Sequence, residues 1–169
     1  MKKDINSIMN ANFSYSEDFG DKANLVMPPS KKIAILTCMD ARLDPAKFAG
    51  LNEGEAHVIR NAGGRATDDA IRSLVISSEV LGTKNWLVIH HSECGMEAFT
   101  DEELSKTLED KFNTSEGKYI NWMSTYDIQE CVKQDIERLK SSPLVSSDIN
   151  ISGYMFDVKT GKLTKIVNN

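Results

Sequence analysis

The chain has 169 residues, of which 40% are hydrophobic and 27% charged, which suits one domain with a real core and leaves little room for a second. With 25 acidic against 20 basic residues the formal net charge is -5, a poor match for a nucleic-acid surface. No apolar run approaches the roughly 20 residues of a membrane span, and no apolar signal core follows the basic start Met1-Lys2-Lys3, so the expected compartment is the cytoplasm.

Residues 1–20 are polar with scattered apolar positions, Ile5, Ile8, Met9, Phe13 and Tyr15. They read as a short helix or arm. Its apolar face is too thin to be buried alone, so the segment 1–27 is expected to lie on a partner subunit. Pro28-Pro29-Ser30 then breaks the chain. Residues 32–38 form a first strand, apolar enough to be buried on both faces. It ends in Cys38, Asp40 and Arg42, which share a face if the backbone stays extended.

Asp44 and Pro45 open a short helix through residue 51 as cap and first turn. Residues 56–60 form a second strand, ending in Asn61-Ala62-Gly63-Gly64, a turn where backbone can approach a ligand closely. Thr67-Asp68-Asp69 opens the clearest helix, with Ile71, Leu74, Val75 and Ser78 on one face and Gly82 placed to stop it. Residues 86–90 form a third buried strand, followed by His91-Ser92-Glu93-Cys94-Gly95. A helix is expected over 97–113, a polar loop over 114–121 and a helix over 125–139 whose apolar face is Ile128, Cys131, Val132, Ile136 and Leu139. A fourth strand over 149–158 turns through 159–162 into a hairpin ending near residue 167. The alternation implies an α/β fold, a mostly parallel central sheet flanked by helices with an added edge strand at the C-terminus.

Three cysteines are an odd number for a disulfide framework; in a reducing compartment a thiol at a strand end points to metal or catalysis. His91 and Cys94 have the two-residue gap that lets both reach one metal from a tight turn. If the first and third strands are neighbours, Cys38 joins them. Two thiolates and one imidazole favour zinc, and three ligands leave a fourth position open, as at catalytic sites. Beside such a site Asp40 could accept a hydrogen bond from bound water. Arg42 could hold Asp40 off the metal with two parallel bonds; released, Asp40 could become the fourth ligand and close the site. Cys131 reads as a packing residue, His57 as core or sheet surface, His90 as pointing to the other face with a supporting role at most, Glu93 as structural or exposed, and Arg60 as a strand-end charge.

Cys38-x-Asp40-x-Arg42, Arg60-Asn61-Ala62-Gly63 and His91-x-x-Cys94-Gly95 together resemble the β-class carbonic anhydrases, and the small bacterial members most. The resemblance implies one zinc per subunit on Cys38, His91 and Cys94, with Asp40 and Arg42 as a catalytic dyad. It also implies a homodimer or homotetramer, an N-terminal arm on the partner, and reversible hydration of carbon dioxide to bicarbonate by zinc-bound hydroxide. Gly63 and Gly95 are the expected substrate-pocket residues. Pro28-Pro29-Ser30 stands where plant-type members carry a glutamine, and Glu93 where many relatives have aspartate. Two other functions fit the same residues: a carbonyl sulfide or carbon disulfide hydrolase on this scaffold, and a zinc-stabilised redox- or metal-sensing domain.

Overall fold

The computed structural model describes residues 2–167. Its elements are α1 (Lys2–Glu17), β1 (Ile33–Cys38), α2 (Pro45–Ala49), β2 (Ala56–Asn61), α3 (Asp68–Glu79), β3 (Asn85–His91), α4 (Asp101–Phe112), α5 (Ile128–Ser141), β4 (Asn150–Phe156) and β5 (Leu163–Val167). The strands form one sheet in the order β2-β1-β3-β4-β5. The first four run parallel and β5 returns antiparallel on the edge. This is the expected fold, and β1 and β3 are direct neighbours.

Period-2 alternation sends the strand residues to two cores. Ala34, Leu36, Trp86, Val88 and Ile151 pack with Leu74 of α3 and Val132, Ile136 and Leu139 of α5. On the other face Ile35, Ile89 and Phe156 pack with Leu43, Cys38 and Cys94, and Phe48 of α2 stacks on Phe156 with ring centroids 4.7 Å apart. That second face is thinly covered, since Ile33, Leu87 and Tyr154 are only partly buried. A mostly parallel sheet is normally buried on both sides.

Helix starts follow the capping chemistry in the sequence. Thr67, Thr100 and Asp127 each accept a hydrogen bond from the backbone N–H three residues on, each worth about 1 kcal/mol. The expected helix over 97–113 is shorter: Gly95–Glu97 is a 3-10 turn and α4 begins after Thr100, because the Thr100–Glu103 capping box fixes the start there. The helix expected from 125 begins only after the Asp127 cap, because the N–H groups of Met123, Ser124 and Thr125 are engaged elsewhere, by Asp101 and the Met96 carbonyl. The N-terminal segment is a full helix rather than a short one. Its Ile5, Ile8, Met9 and Phe13 are all more than half exposed.

Candidate metal centre

β1 and β3 end side by side, the last ladder pair being Thr37 with Ile89. The chain therefore delivers Cys38 and His91 to the carboxyl end of two neighbouring inner strands, and the turn after β3 returns Cys94 to the same place. Glu93, at φ +53°, makes the bend. The Cys94 N–H is held by the Glu97 carboxylate at 3.0 Å. Among the described residues, one ligand atom from each of Cys38, His91 and Cys94 falls within 4.8 Å of the other two, and all three residues are buried.

The geometry fits a tetrahedral metal. The two sulfurs lie 3.9 Å apart, and a pair of zinc–sulfur bonds of roughly 2.3 Å at the tetrahedral angle would separate them by about 3.8 Å. His91 is fully buried. Its Nδ1 lies 2.9 Å from the Ser92 carbonyl, which fixes the proton on Nδ1 and leaves a lone pair on Nε2. That Nε2 has no hydrogen-bond partner, a costly state for a buried nitrogen unless something positive sits before it. The Cys38 thiol is pushed down to about 4 by the hydrogen bond from Cys94, against burial, with further help from His91 and the backbone of Asp40 and Gly63. The same bond and burial push Cys94 up. Burial lowers the pKa of His91, but Cys38, the Ser92 carbonyl and Asp40 outweigh it and the net shift is upward.

Asp40 and Arg42 stand beside this cluster, though not by the extended backbone that alternate spacing suggests. The strand stops at Cys38, and Leu43 N–H closes a turn on the Asp40 carbonyl at 3.0 Å. The turn lets Asp40 Oδ1 accept from both the backbone N–H and Nε of Arg42, at 2.9 and 3.0 Å, while Oδ2 accepts from Nη2 at 2.7 Å. The Arg42 side chain and backbone hold the Asp40 carboxyl well below the usual carboxylate range. Asp40 Oδ2 is 3.8 Å from His91 Nε2, so the carboxylate borders the cluster while remaining committed to Arg42. Arg42 also donates to the Glu93 carbonyl at 2.8 Å, and Glu93 pairs in turn with Lys159.

Two further residues shape the site. Arg60 is more than a strand-end charge: its Nε and Nη2 donate to the carbonyls of Cys38 and Asp40 at 3.0 and 2.7 Å, clamping the backbone between them. Gly64, at φ +70°, lies so close that a Cβ would meet Cys38 N and Thr37 C at 2.8 Å. Of the expected pocket glycines, Gly63 lies beside Met96, while Gly95 has open space at its α-carbon. Cys131 is buried on α5 away from the cluster, accepting from Arg65 at 3.6 Å. His57 bonds Ser77 at 2.8 Å, and His90 faces Asp135 of α5.

A parallel α/β sheet that gathers two thiols and an aimed imidazole past the ends of adjacent strands is the arrangement expected of a metalloenzyme of the open-sheet class. The carbonic anhydrase family model matches residues 33–163. β-Carbonic anhydrase 1 of Mycobacterium tuberculosis is 45% identical over 157 residues, covering 92% of this chain and 93% of that protein. The carbonic anhydrase of Streptococcus mutans superposes with a TM-score of 0.91 at 43% identity, covering 96% and 97% of the two chains. A carbon disulfide hydrolase of an Acidianus strain is more distant, at 33% identity with 88% and 84% covered. The chain belongs to the β-carbonic anhydrase family. It is accordingly an enzyme, a lyase whose reaction is the hydration of carbon dioxide, a small-molecule substrate.

Proposed function

We propose that hydration takes place at one zinc ion per subunit, held by Cys38, His91 and Cys94. The observation that carries this reading is the buried, unpartnered Nε2 of His91 facing two sulfurs at tetrahedral spacing. The chemistry supplied at such a position is Lewis-acid activation of water, which makes a hydroxide nucleophile available near neutral pH. Cys38 and Cys94 bind as thiolates, and the Ser92 carbonyl keeps His91 in the tautomer that presents Nε2. Asp40 Oδ2 accepts a hydrogen bond from the attacking water and orients it. Arg42 keeps Asp40 ionised and committed to its guanidinium. Release of Arg42, which requires breaking three hydrogen bonds, would let Asp40 swing in as a fourth ligand and shut the site. Gly63 and Met96 offer an apolar wall to carbon dioxide, and the open space at Gly95 gives access.

The test is zinc quantification with stopped-flow hydration on the wild-type chain and on Cys38→Ser and His91→Ala. One zinc per chain and activity should be lost together. A metal-free variant with full activity would sink the reading. Sulfide release from carbonyl sulfide and carbon disulfide, run in parallel, should stay well below carbon dioxide turnover.

A homodimer or larger homo-oligomer is proposed on two observations. α1 presents an uncovered apolar face, and the second face of the sheet is partly bare. The cytoplasm is the proposed compartment, because Cys38, Cys94 and Cys131 are all free thiols. No helix among the described residues is long and apolar enough to cross a membrane.

A further inference from the structure

Behind the site, on the α5 side of the sheet, lies a buried charge cluster that none of the chemistry above uses. Asp135 of α5 is 1% exposed and Arg65 is 4% exposed. Arg65 Nε donates to Asp135 Oδ2 at 2.9 Å. His90 Nε2 lies 3.0 Å from that same oxygen, out of line for a full hydrogen bond. A buried ion pair contributes little net stability, and apolar residues of equal volume often do as well or better. What the pair fixes is therefore more informative than what it stabilises.

Each partner of Asp135 leads to a different arm of the ligand set. Arg65 directly follows the Gly63-Gly64 turn, whose Gly64 presses on the backbone of Thr37 and Cys38. The turn is closed by the Asn61 side chain, which donates to the Arg65 carbonyl at 2.7 Å. Arg65 Nη1 also donates to the carbonyls of Met123 and Ser124, at 2.8 and 3.3 Å. The next residue, Thr125, donates its N–H to the Met96 carbonyl at 2.9 Å, just past Cys94. His90 immediately precedes His91, with its ring on the opposite face of β3. One carboxylate oxygen thus touches two residues, Arg65 and His90; Arg65 is joined to the turn behind Cys38 and, through the 123–125 strap, to the Cys94 loop, and His90 ends the strand that carries His91.

We propose that Asp135 is a positioning residue for the metal centre: through Arg65 and His90 it fixes the relative placement of Cys38, His91 and Cys94 from the opposite side of the sheet. The proposal rests on the zinc reading above. Outer partners that orient ligands typically change metal affinity by about 10–100-fold when removed.

The experiment compares wild type with Asp135→Asn and with the double variant Arg65→Met/Asp135→Leu. Each is loaded with one equivalent of zinc, or of cobalt(II) as a spectroscopic probe. Asp135→Asn leaves Arg65 buried without its counter-charge and can fail to fold. The double variant removes both charges together and carries the test in that case. The double variant should stay folded by circular dichroism, its melting lowered by loss of the Arg65 bonds to the Met123 and Ser124 carbonyls, while zinc is lost to a chelator at about 10–100-fold lower chelator concentration and the sulfur-to-cobalt absorption bands shift. A folded double variant with wild-type zinc release and an unchanged cobalt spectrum overturns the proposal alone. Wild type that fails to retain one zinc, or Cys38→Ser that retains it, overturns the zinc reading and this proposal with it.

Discussion

Gly64→Ala is the sharpest test of how the sheet and the site constrain each other. An alanine there must keep φ near +70°, which costs an L-residue about 1–2 kcal/mol. Its methyl would also sit 2.8 Å from Cys38 N and Thr37 C and 3.0 Å from Thr37 Cα, far inside the roughly 3.5–4.0 Å of ordinary contact. None of these atoms can yield cheaply. They are backbone of β1, paired with β2 on one side and β3 on the other, and Thr37 Oγ1 is tied to the Ile89 carbonyl at 2.8 Å. Overpacking of this kind adds about 1–3 kcal/mol, for a total of about 2–5 kcal/mol. At about 2–4 °C per kcal/mol for a chain of this size, the melting temperature should fall by about 4–20 °C. Gly82→Ala is the matched control: φ is +75° and nothing lies within 4 Å, so only the conformational cost applies. Calorimetry on both variants, with zinc content measured on the same samples, separates the two contributions. Gly64→Ala should be the less stable of the two and should hold zinc more weakly. Equal melting temperatures with equal zinc content would refute the close-contact argument.

Arg42→Gln removes both side-chain bonds to Asp40. Carbon dioxide hydration should fall about a hundredfold, the usual scale for a misplaced catalytic group, with zinc content unchanged; stopped-flow assay and metal analysis check both. Asp101 offers a pH prediction: burial raises its pKa, but hydrogen bonds from Ser124, Met123 and Trp122 outweigh it and the net shift is downward. Its contribution is thus fully present above the unfolded value near about pH 4 and is lost as pH falls through the lower folded value. Asp101→Ala should cost about 1–3 kcal/mol at pH 7. By urea denaturation that gap should narrow below pH 4, and an equal gap at pH 3 would contradict the sign. Deleting residues 1–17 should lower the number of chains per particle in sedimentation while leaving the monomer fold intact by circular dichroism; an unchanged number of chains would remove α1 from the interface.

The sheet is legible in the sequence because its inner strands are short apolar runs, and because each of the first three ends in polar chemistry. A run such as 33–37 has no use for Ala-Ile-Leu at consecutive positions unless both faces are covered. Helix starts are legible at Thr67 and Asp44, where the cap is followed by the expected first-turn residues. The start at Thr100 is misplaced to 97 because a 3-10 turn and the Cys94–Glu97 contact carry the same local signature as a helix. The turn at Asp40–Leu43 is missed for a related reason. Alternation describes a strand, whereas here an aspartate bonds its own backbone two residues on and ends the strand.

The three proposed ligands are visible because two thiols and an imidazole at the ends of buried strands have little to do there except bind metal or take part in catalysis. Their supports are hidden by distance. Arg65 and Asp135 are 70 residues apart, and each alone reads as a surface charge. Yet one of them carries a signal. On α5 the buried positions are Cys131, Val132, Asp135, Ile136 and Leu139, so Asp135 falls inside the apolar stripe itself. A carboxylate there cannot face water, and burial without a counter-charge is prohibitive. Its presence in the stripe therefore calls for polar partners from elsewhere in the fold, and a buried cation suits it best. The arginine that follows two glycines packed against a metal-ligand strand is the residue placed to supply it. A polar residue that breaks a helical stripe thus points across the sheet to the site it supports.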